Sequence, residues 1–289
     1  MTDANTLDAF QAQRGRLFRL AYRMLGEVSE AEDAVQDAWL RWRGADDGAI
    51  DDAAAWLVRT TTRLCLDRLR AARVRRQAYR GPWLPEPLVE AMDQDPLERA
   101  EEVSTAFLLA LERLSPLERA VFLLHDVFDD DYAAIADTLG RSEAACRQLA
   151  ARARTHVQDA RPRFAVSDAE ATRLAVAFMA AAHRNDLTAL KDLLAEDAVM
   201  ITDGGGKRKA SLRPMIGRAD VLRLIEGLIW RGSVPVAGAV RLARINGAPG
   251  VVLGDGAEVV TVAFDPAPGG RIAAIYVLRN PDKLGHVRV

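Results

Sequence analysis

Residues 131–154 decide the fold of the first half of the chain, and they read DYAAIADTLGRSEAACRQLAARAR. The first nine of these residues have the apolar spacing of one amphipathic helix, and Gly140 follows in a tight turn. A second helix, capped by Ser142, is predicted to continue to about residue 160. Helix, short turn and helix at this spacing predict a helix-turn-helix. On the second helix we expect Cys146, Leu149, Ala150 and Ala153 to face the core.

The exposed side of this second helix has the residue types of a DNA-reading helix. Between Arg141 and Arg163 there are six arginines and two acids, Glu143 and Asp159, so the local charge is +4. Small residues allow close approach to the major groove, while Arg and Gln can bond base edges and phosphates. A helical hairpin of any all-α protein could show the same spacing. The residues predicted to contact DNA are Ser142, Ala145, Arg147, Gln148, Arg152 and Arg154.

An acidic helix is predicted near the N-terminus, where residues 31–42 read AEDAVQDAWLRW. Five acids and no base occur between Glu27 and Asp37. Helical spacing places four side chains on adjacent turns of one face, which is acidic with an apolar margin and suits a protein partner. The residues of this face are Asp33, Gln36, Asp37 and Leu40.

A basic helix follows, with eight arginines and one acid between Trp56 and Arg80. Its apolar side is predicted to carry Trp56, Leu57, Thr60, Leu64 and Leu69. The opposite side suits contact with a polyanion, although a solvated helix face would show the same segregation. The residues predicted on this opposite side are Arg59, Thr62, Arg63, Arg70 and Arg73.

The helical pattern breaks at residues 81–87, GPWLPEP, because three prolines within six residues cannot continue a helix. We expect an extended linker here, and an exposed Trp-Leu pair indicates that it docks on another surface. Beyond residue 162 the pattern predicts an α+β domain. Its expected elements are helices at 168–184, 187–194 and 218–231 and strands at 198–202, 236–245, 250–253, 258–264 and 271–278.

Composition limits the function classes. The net charge is −2, and the two cysteines, Cys65 and Cys146, have no disulfide or metal spacing. Residues 1–20 lack the apolar segment of a signal peptide, and no apolar run is long enough for a bilayer. We therefore expect a cytoplasmic protein with no membrane association, no metal and no cofactor.

The N-terminal pattern resembles region 2 of the extracytoplasmic-function (ECF) sigma factors, and residues 114–154 resemble their region 4. EDAVQD at 32–37 with DRLR at 67–70 is the most specific part of this likeness. The resemblance implies binding to core RNA polymerase (β′ and β subunits) through the acidic helix, contact of the basic helix with a −10 element, and reading of the −35 element by the second helix. Thr61, Ala134 and Leu149 depart from the family pattern and put the promoter sequence in doubt.

Three further motifs resemble the ECF subgroup with a fused SnoaL-like, NTF2-like domain. The implied domains are region 2 at 1–80, a linker at 81–100, region 4 at 101–162 and an NTF2-like cone with a curved antiparallel sheet at 163–289. The resemblance implies regulation in cis, with the extra domain in place of a separate anti-sigma factor. The residues that we expect to meet are Trp83, Leu84, Pro85, Glu86 and Pro87, then Asp203, Gly204, Gly205, Gly206 and Lys207, then Asn280, Pro281, Asp282, Lys283 and Leu284.

Two other readings stay open. SnoaL-like folds include enzymes with an Asp or His in a pocket, for which Asp203 and His183 are the candidates, although no catalytic residue is predicted here. The same domain could bind a small-molecule ligand. A DNA-binding regulator that never meets polymerase would lack a reason for the acidic face at Asp33 and Asp37.

Overall fold

The computed structural model describes residues 3–45, 50–92, 103–158, 167–230, 239–254 and 258–287. The chain divides into two compact units. One comprises Met1–Gln77 with Phe107–Arg161, and the other comprises Ala78–Ala106 with Pro162–Val289. The described part of the linker therefore belongs to the unit of the C-terminal domain. The domain boundaries expected at residues 80, 100 and 162 stay predictions.

The first unit is helical, as predicted. Leu17, Ala21 and Met24 lie on one stripe of the first helix and are fully buried, because that helix packs against the second and third. A π-helical turn at Leu123–Val127 continues the fifth helix. The helices are α1 (Asp3–Leu25), α2 (Val28–Arg43), α3 (Ala53–Gln77), α4 (Thr105–Leu111), α5 (Pro116–Phe122), α6 (Tyr132–Leu139) and α7 (Glu143–Gln158).

Two stretches, SEAE at 29–32 and SPLE at 115–118, have the sequence of a capping box, which predicts that a helix starts at each of them. At α5 the Ser115 hydroxyl accepts from the Glu118 N–H while the Glu118 carboxylate accepts from the Ser115 N–H, so the predicted capping box is confirmed. At α2 the predicted box starting at Ser29 is wrong. That helix begins at Val28 with Glu27 as its N-cap, because burial of Val28 brings it into the apolar stripe.

The second unit carries a seven-stranded sheet with strand order β1-β4-β5-β6-β7-β2-β3. The first strand comes from the linker. The strands are β1 (Val89–Glu90), β2 (Leu194–Asp203), β3 (Met215–Ile216), β4 (Ala239–Ile245), β5 (Ala248–Gly254), β6 (Val259–Ala267) and β7 (Arg271–Leu278); the helices are α8 (Asp168–His183), α9 (Leu187–Leu193), α10 (Arg218–Trp230) and a 3₁₀ turn at Pro281–Lys283.

The core of this unit lies between the sheet and the helices α8 and α10. Val260, Val262 and Phe264 alternate along β6 toward that core, as the two-residue period of a strand requires. The expected all-antiparallel sheet needs one correction, because β2 pairs with β7 in parallel. The predicted order of two all-α modules followed by an α+β domain is confirmed. None of the described helices is both long and apolar enough to cross a membrane.

Candidate functional site

Asp203, at the end of β2, is the centre of a buried polar cluster that joins the linker to the C-terminal domain. Its side chain is fully buried. One carboxylate oxygen accepts from the Tyr79 hydroxyl at 2.6 Å and the Gly205 N–H at 2.9 Å. The other accepts from the Leu84 N–H at 2.9 Å and the Lys283 ammonium at 2.8 Å. The carboxylate thus accepts four hydrogen bonds, and one of the donors, Lys283, also supplies the positive counter-charge that a buried carboxylate requires.

Lys283 binds the same part of the linker. Its ammonium group donates to the Leu84 carbonyl oxygen at 2.5 Å, and it lies 4.3 Å from the ring centroid of Trp83 and 4.9 Å from that of Tyr79. Only 7% of the residue is exposed. A desolvated ammonium group held between two aromatic faces gains cation–π stabilisation in addition to its salt bridge with Asp203.

Two glycines allow this close approach. Gly205 has φ +60°, and a β-carbon there would lie 2.3 Å from the Asn280 side chain. Asn280 donates to the Tyr79 hydroxyl at 2.9 Å. A β-carbon on Gly204 would lie 2.1 Å from the Arg208 carbonyl oxygen. The pKa of Tyr79 is raised by burial and then by its hydrogen bond to Asp203, so the phenol stays a donor.

The three predicted motifs meet, but the contacts differ from the pattern expected for these motifs, in which Lys207 or a loop N–H binds Glu86 and Trp83 fills an apolar hollow. Lys207 does not engage Glu86. Its ammonium group pairs with Asp282 at 2.6 Å on the surface, whereas Glu86 is buried and lies 3.1 Å from His286. Leu84, rather than the half-exposed Trp83, is the linker side chain that is fully enclosed.

Asn246 makes a second attachment that sequence reasoning missed. Its amide oxygen accepts from the Leu88 N–H at 2.8 Å, and its amide nitrogen donates to the Thr105 hydroxyl at 3.0 Å. The following linker residues form β1 and pair with β4, Val89 opposite Ile245. The signal was the Asn-Gly turn at 246–247, which predicts a hairpin but does not show that its side chain caps another segment.

The acidic face of α2 is accessible. Asp33 and Gln36 are exposed, and Leu40 is 48% exposed. Asp37 is partly covered, because its carboxylate lies 2.7 Å from the Arg68 guanidinium group, which also binds Glu30 at 2.7 Å. An acidic surface with an apolar margin is therefore present on α2.

The basic face of α3 is only partly available. Arg70 is exposed and pairs with Asp67 at 2.8 Å. Arg63 donates to the Thr138 carbonyl oxygen of α6 at 3.1 Å, and Arg59 pairs with Asp137. The expected exposure of Thr62 is wrong, because Thr62 is fully buried and its hydroxyl donates to the Val58 carbonyl oxygen at 2.8 Å. The side chain of Arg73 lies outside the described residues.

The helix-turn-helix forms as predicted, with Gly140 in the left-handed conformation (φ +62°) at its turn. Ser142, Arg147 and Gln148 are exposed on α7, while Ala145 is half-exposed. Cys146, Ala150 and Ala153 are buried, as expected, whereas Leu149 is only half-buried.

Two arginines of α7 also hold the fold. Arg152 donates to Glu118 at 2.9 Å. Arg154 donates to Asp126 at 2.7 Å and to the Tyr132 hydroxyl at 3.3 Å, and the first of these bonds raises the Arg154 pKa. Arg147 also makes contacts within the module: it donates to Glu143 at 2.6 Å, and its guanidinium group lies 5.2 Å from the ring centroid of Tyr132.

The enzyme reading loses its candidates in this geometry. Asp203 is saturated by linker and loop donors, and His183 is exposed at the end of α8. Within the described residues no group of three or more His, Cys, Asp or Glu side chains could hold a metal ion.

Comparisons with known proteins agree with this architecture. Residues 9–75 match the family Sigma-70 region 2, and residues 104–157 match Sigma-70, region 4. The chain is 40% identical over 287 residues to the ECF RNA polymerase sigma factor SigJ of Mycobacterium tuberculosis. This alignment covers 95% of this chain and 91% of SigJ. It is 33% identical over 286 residues to the probable ECF RNA polymerase sigma factor SigI of the same species, in an alignment that covers 97% of this chain and 95% of SigI.

The crystal structure of Mycobacterium tuberculosis extracytoplasmic function sigma factor SigJ matches with a TM-score of 0.78 and 36% identity, over 96% of this chain and 98% of that chain. Likeness of this extent covers both helical modules, the linker and the C-terminal domain together. The chain therefore belongs to the ECF RNA polymerase sigma factors, and its function is promoter recognition in transcription initiation.

Proposed function

We propose that this sigma factor binds core RNA polymerase through α2, contacts the promoter through α3 and α7, and is controlled in cis by its C-terminal domain. The observation that supports control by the C-terminal domain is the burial of Asp203 against Tyr79, Leu84 and Lys283. These contacts attach the segment that joins region 2 to region 4 to the C-terminal domain. We place its action in the cytoplasm, where RNA polymerase works.

The promoter-facing surface is supported by the exposure of Arg147 and Gln148. Bidentate Arg and Gln contacts read guanine and adenine edges in the major groove. On α3, the exposed Arg70 is the predicted basic residue best placed for the −10 element, whereas Thr62 is buried and cannot reach DNA. Arg59 and Arg63 bind α6, so their contacts with α6 must break before these two side chains can bind DNA.

The polymerase-facing surface is supported by Asp33, Gln36 and Leu40. An exposed leucine beside an exposed carboxylate and an exposed amide is suited to a basic partner with an apolar centre. We assign this surface to the β′ subunit, with further contacts to β.

Control in cis follows from the stiffness of the attachment. Prolines at 82, 85 and 87 restrict the free linker, so docking costs little conformational entropy. Strand addition by β1 and the bonds of Asn246 extend the docked length to Glu90. A docked linker has fewer conformations than a free one, which limits the spacings at which the two DNA-binding modules can engage a promoter together.

The test is transcription by core polymerase reconstituted with the full chain over a library of upstream regions. We expect initiation at a defined set of promoters that core enzyme alone does not use. The variant Lys283→Met keeps the length of the side chain but removes its charge, and it should change the yield at those promoters while core binding stays the same. Equal yields from Lys283→Met and wild type would contradict control in cis without affecting the sigma assignment.

A further inference from the structure

A narrow apolar cavity lies inside the C-terminal domain, between α8, α10 and the sheet. Its volume is about 90 Å³, and Phe178, Ile225 and Val262 are among its walls. A wider basin of about 750 Å³ shares four wall residues with it: Met200, Leu228, Val277 and Arg279. The cavity and the basin therefore adjoin, and Arg279 is the charged group at their junction.

Arg279 keeps hydrogen-bonding capacity in reserve at this junction. Its side chain is 19% exposed. One terminal nitrogen donates to Glu258 at 2.7 Å and the other to the Lys209 carbonyl oxygen at 3.1 Å. Its Nε–H is buried and has no hydrogen-bond partner among the described residues. A buried donor of this kind costs free energy unless an acceptor reaches it.

The basin itself is cationic. Four of its charged wall residues are basic and one, Glu258, is acidic. Glu258 lies 2.7 Å from Arg279 and 3.8 Å from Arg208, and Lys207 pairs with Asp282 at 2.6 Å, so two acids face four basic residues and the basin keeps a net positive charge. Such a basin attracts anions, while the apolar cavity beyond it favours a hydrocarbon group. The basic wall residues are Lys207, Arg208, Lys209 and Arg279.

We propose that this cavity binds an organic monoanion with a short apolar body. The anionic head lies at Arg279 in the cationic basin, and the apolar body enters the cavity past Met200 and Leu228. The guanidinium group of arginine matches the geometry of a carboxylate. This site goes beyond the proposed control in cis and can be tested without transcription.

The site also lies beside the linker attachment. The backbone N–H of Arg279 donates to the Asp203 carbonyl oxygen at 2.8 Å, and Asn280 follows directly in the chain. A ligand that holds Arg279 in place would therefore act next to the end of β2, where Asp203 lies. Binding to the folded state alone also raises the temperature of unfolding.

The experiment is isothermal titration of the full chain with hexanoate as the probe. Acetate carries the same head without the tail, and hexan-1-ol carries the same tail without the charge. We expect hexanoate to bind at least tenfold more tightly than either, because each of them lacks one half of the recognition.

Variants locate the site. Arg279→Gln should weaken hexanoate at least tenfold, and Leu228→Glu should do the same by placing a like charge at the junction while Arg279 is kept. Arg271→Gln removes an exposed arginine at the start of β7, the strand that ends just before Arg279, and should bind as wild type does. No heat with hexanoate, equal binding of hexan-1-ol, or equal affinities of the Arg271→Gln and Arg279→Gln variants would each overturn the proposal.

Discussion

The carboxylate of Asp203 lies 2.9 Å from the backbone nitrogen of Leu84, a residue 119 positions earlier in the chain. The same carboxylate binds Lys283, so residues from three distant segments share one buried charge. The buried charge of Asp203 thus holds the linker and the tail together, and removing that charge should weaken both attachments.

Asp203→Asn should lower stability more than an exposed ion-pair change nearby. It leaves the ammonium group of Lys283 buried without its counter-ion, which costs about 3 kcal/mol or more. Asp282→Asn removes only the exposed pair with Lys207 and should cost about 1 kcal/mol or less. Denaturant unfolding of the full chain measures both, and equal losses would contradict the central role of Asp203.

Asp33→Lys should weaken core polymerase binding without changing the melting temperature. Asp33 is 67% exposed and 4.0 Å from Arg68, so it contributes little to the fold. Asp37→Lys should lower both binding and stability, because Asp37 holds Arg68 at 2.7 Å. Asp192→Lys, on the surface of α9, is the control for net charge. Undiminished pull-down of core enzyme by Asp33→Lys would show that α2 is not the polymerase surface.

Arg147→Ala and Arg154→Ala should separate base reading from folding. The first should weaken −35 binding by about 1–3 kcal/mol and lower stability by about 1 kcal/mol or less, because its pair with Glu143 is exposed. The second should weaken binding to all sequences with a shallower salt dependence, and it should also lower stability, because Arg154 holds Asp126 and Tyr132. Fluorescence anisotropy with specific and scrambled duplexes checks this, and equal discrimination by both variants would refute the division.

Asp137→Ala should strengthen binding to −10 DNA by about two- to fivefold. The change frees Arg59 from an exposed ion pair whose strength is about 1 kcal/mol or less. Asp8→Ala makes the same charge change on α1 and serves as the control. If both variants bind −10 DNA equally, the pair of Arg59 with Asp137 does not compete with DNA.

The sequence predicted that the Trp83 and Asp203 motifs meet, because an apolar proline-rich linker and a triple glycine both need a close partner. It could not select the partner of Asp203. Lys207 and Lys283 are equally plausible by composition, and only the parallel pairing of β2 with β7 brings the tail to the end of β2. The burial of Thr62 could not be predicted from the sequence, because it also depends on how distant elements pack. Helix α3 packs against α1, α2, α5 and α6, so its buried stripe is wider than one amphipathic face.

If the Asp203 attachment restricts the joining segment, we expect the protein to accept only a narrow range of spacings between the two promoter elements. The most direct measurement is transcription by reconstituted polymerase from one preferred promoter whose −10 and −35 elements are moved apart or together in single base-pair steps. Wild type and Asp282→Asn should show the same sharp optimum, and Asp203→Asn should give a lower yield with a broader dependence on spacing. An Asp203→Asn profile that coincides with wild type, from a protein still folded, would contradict the account.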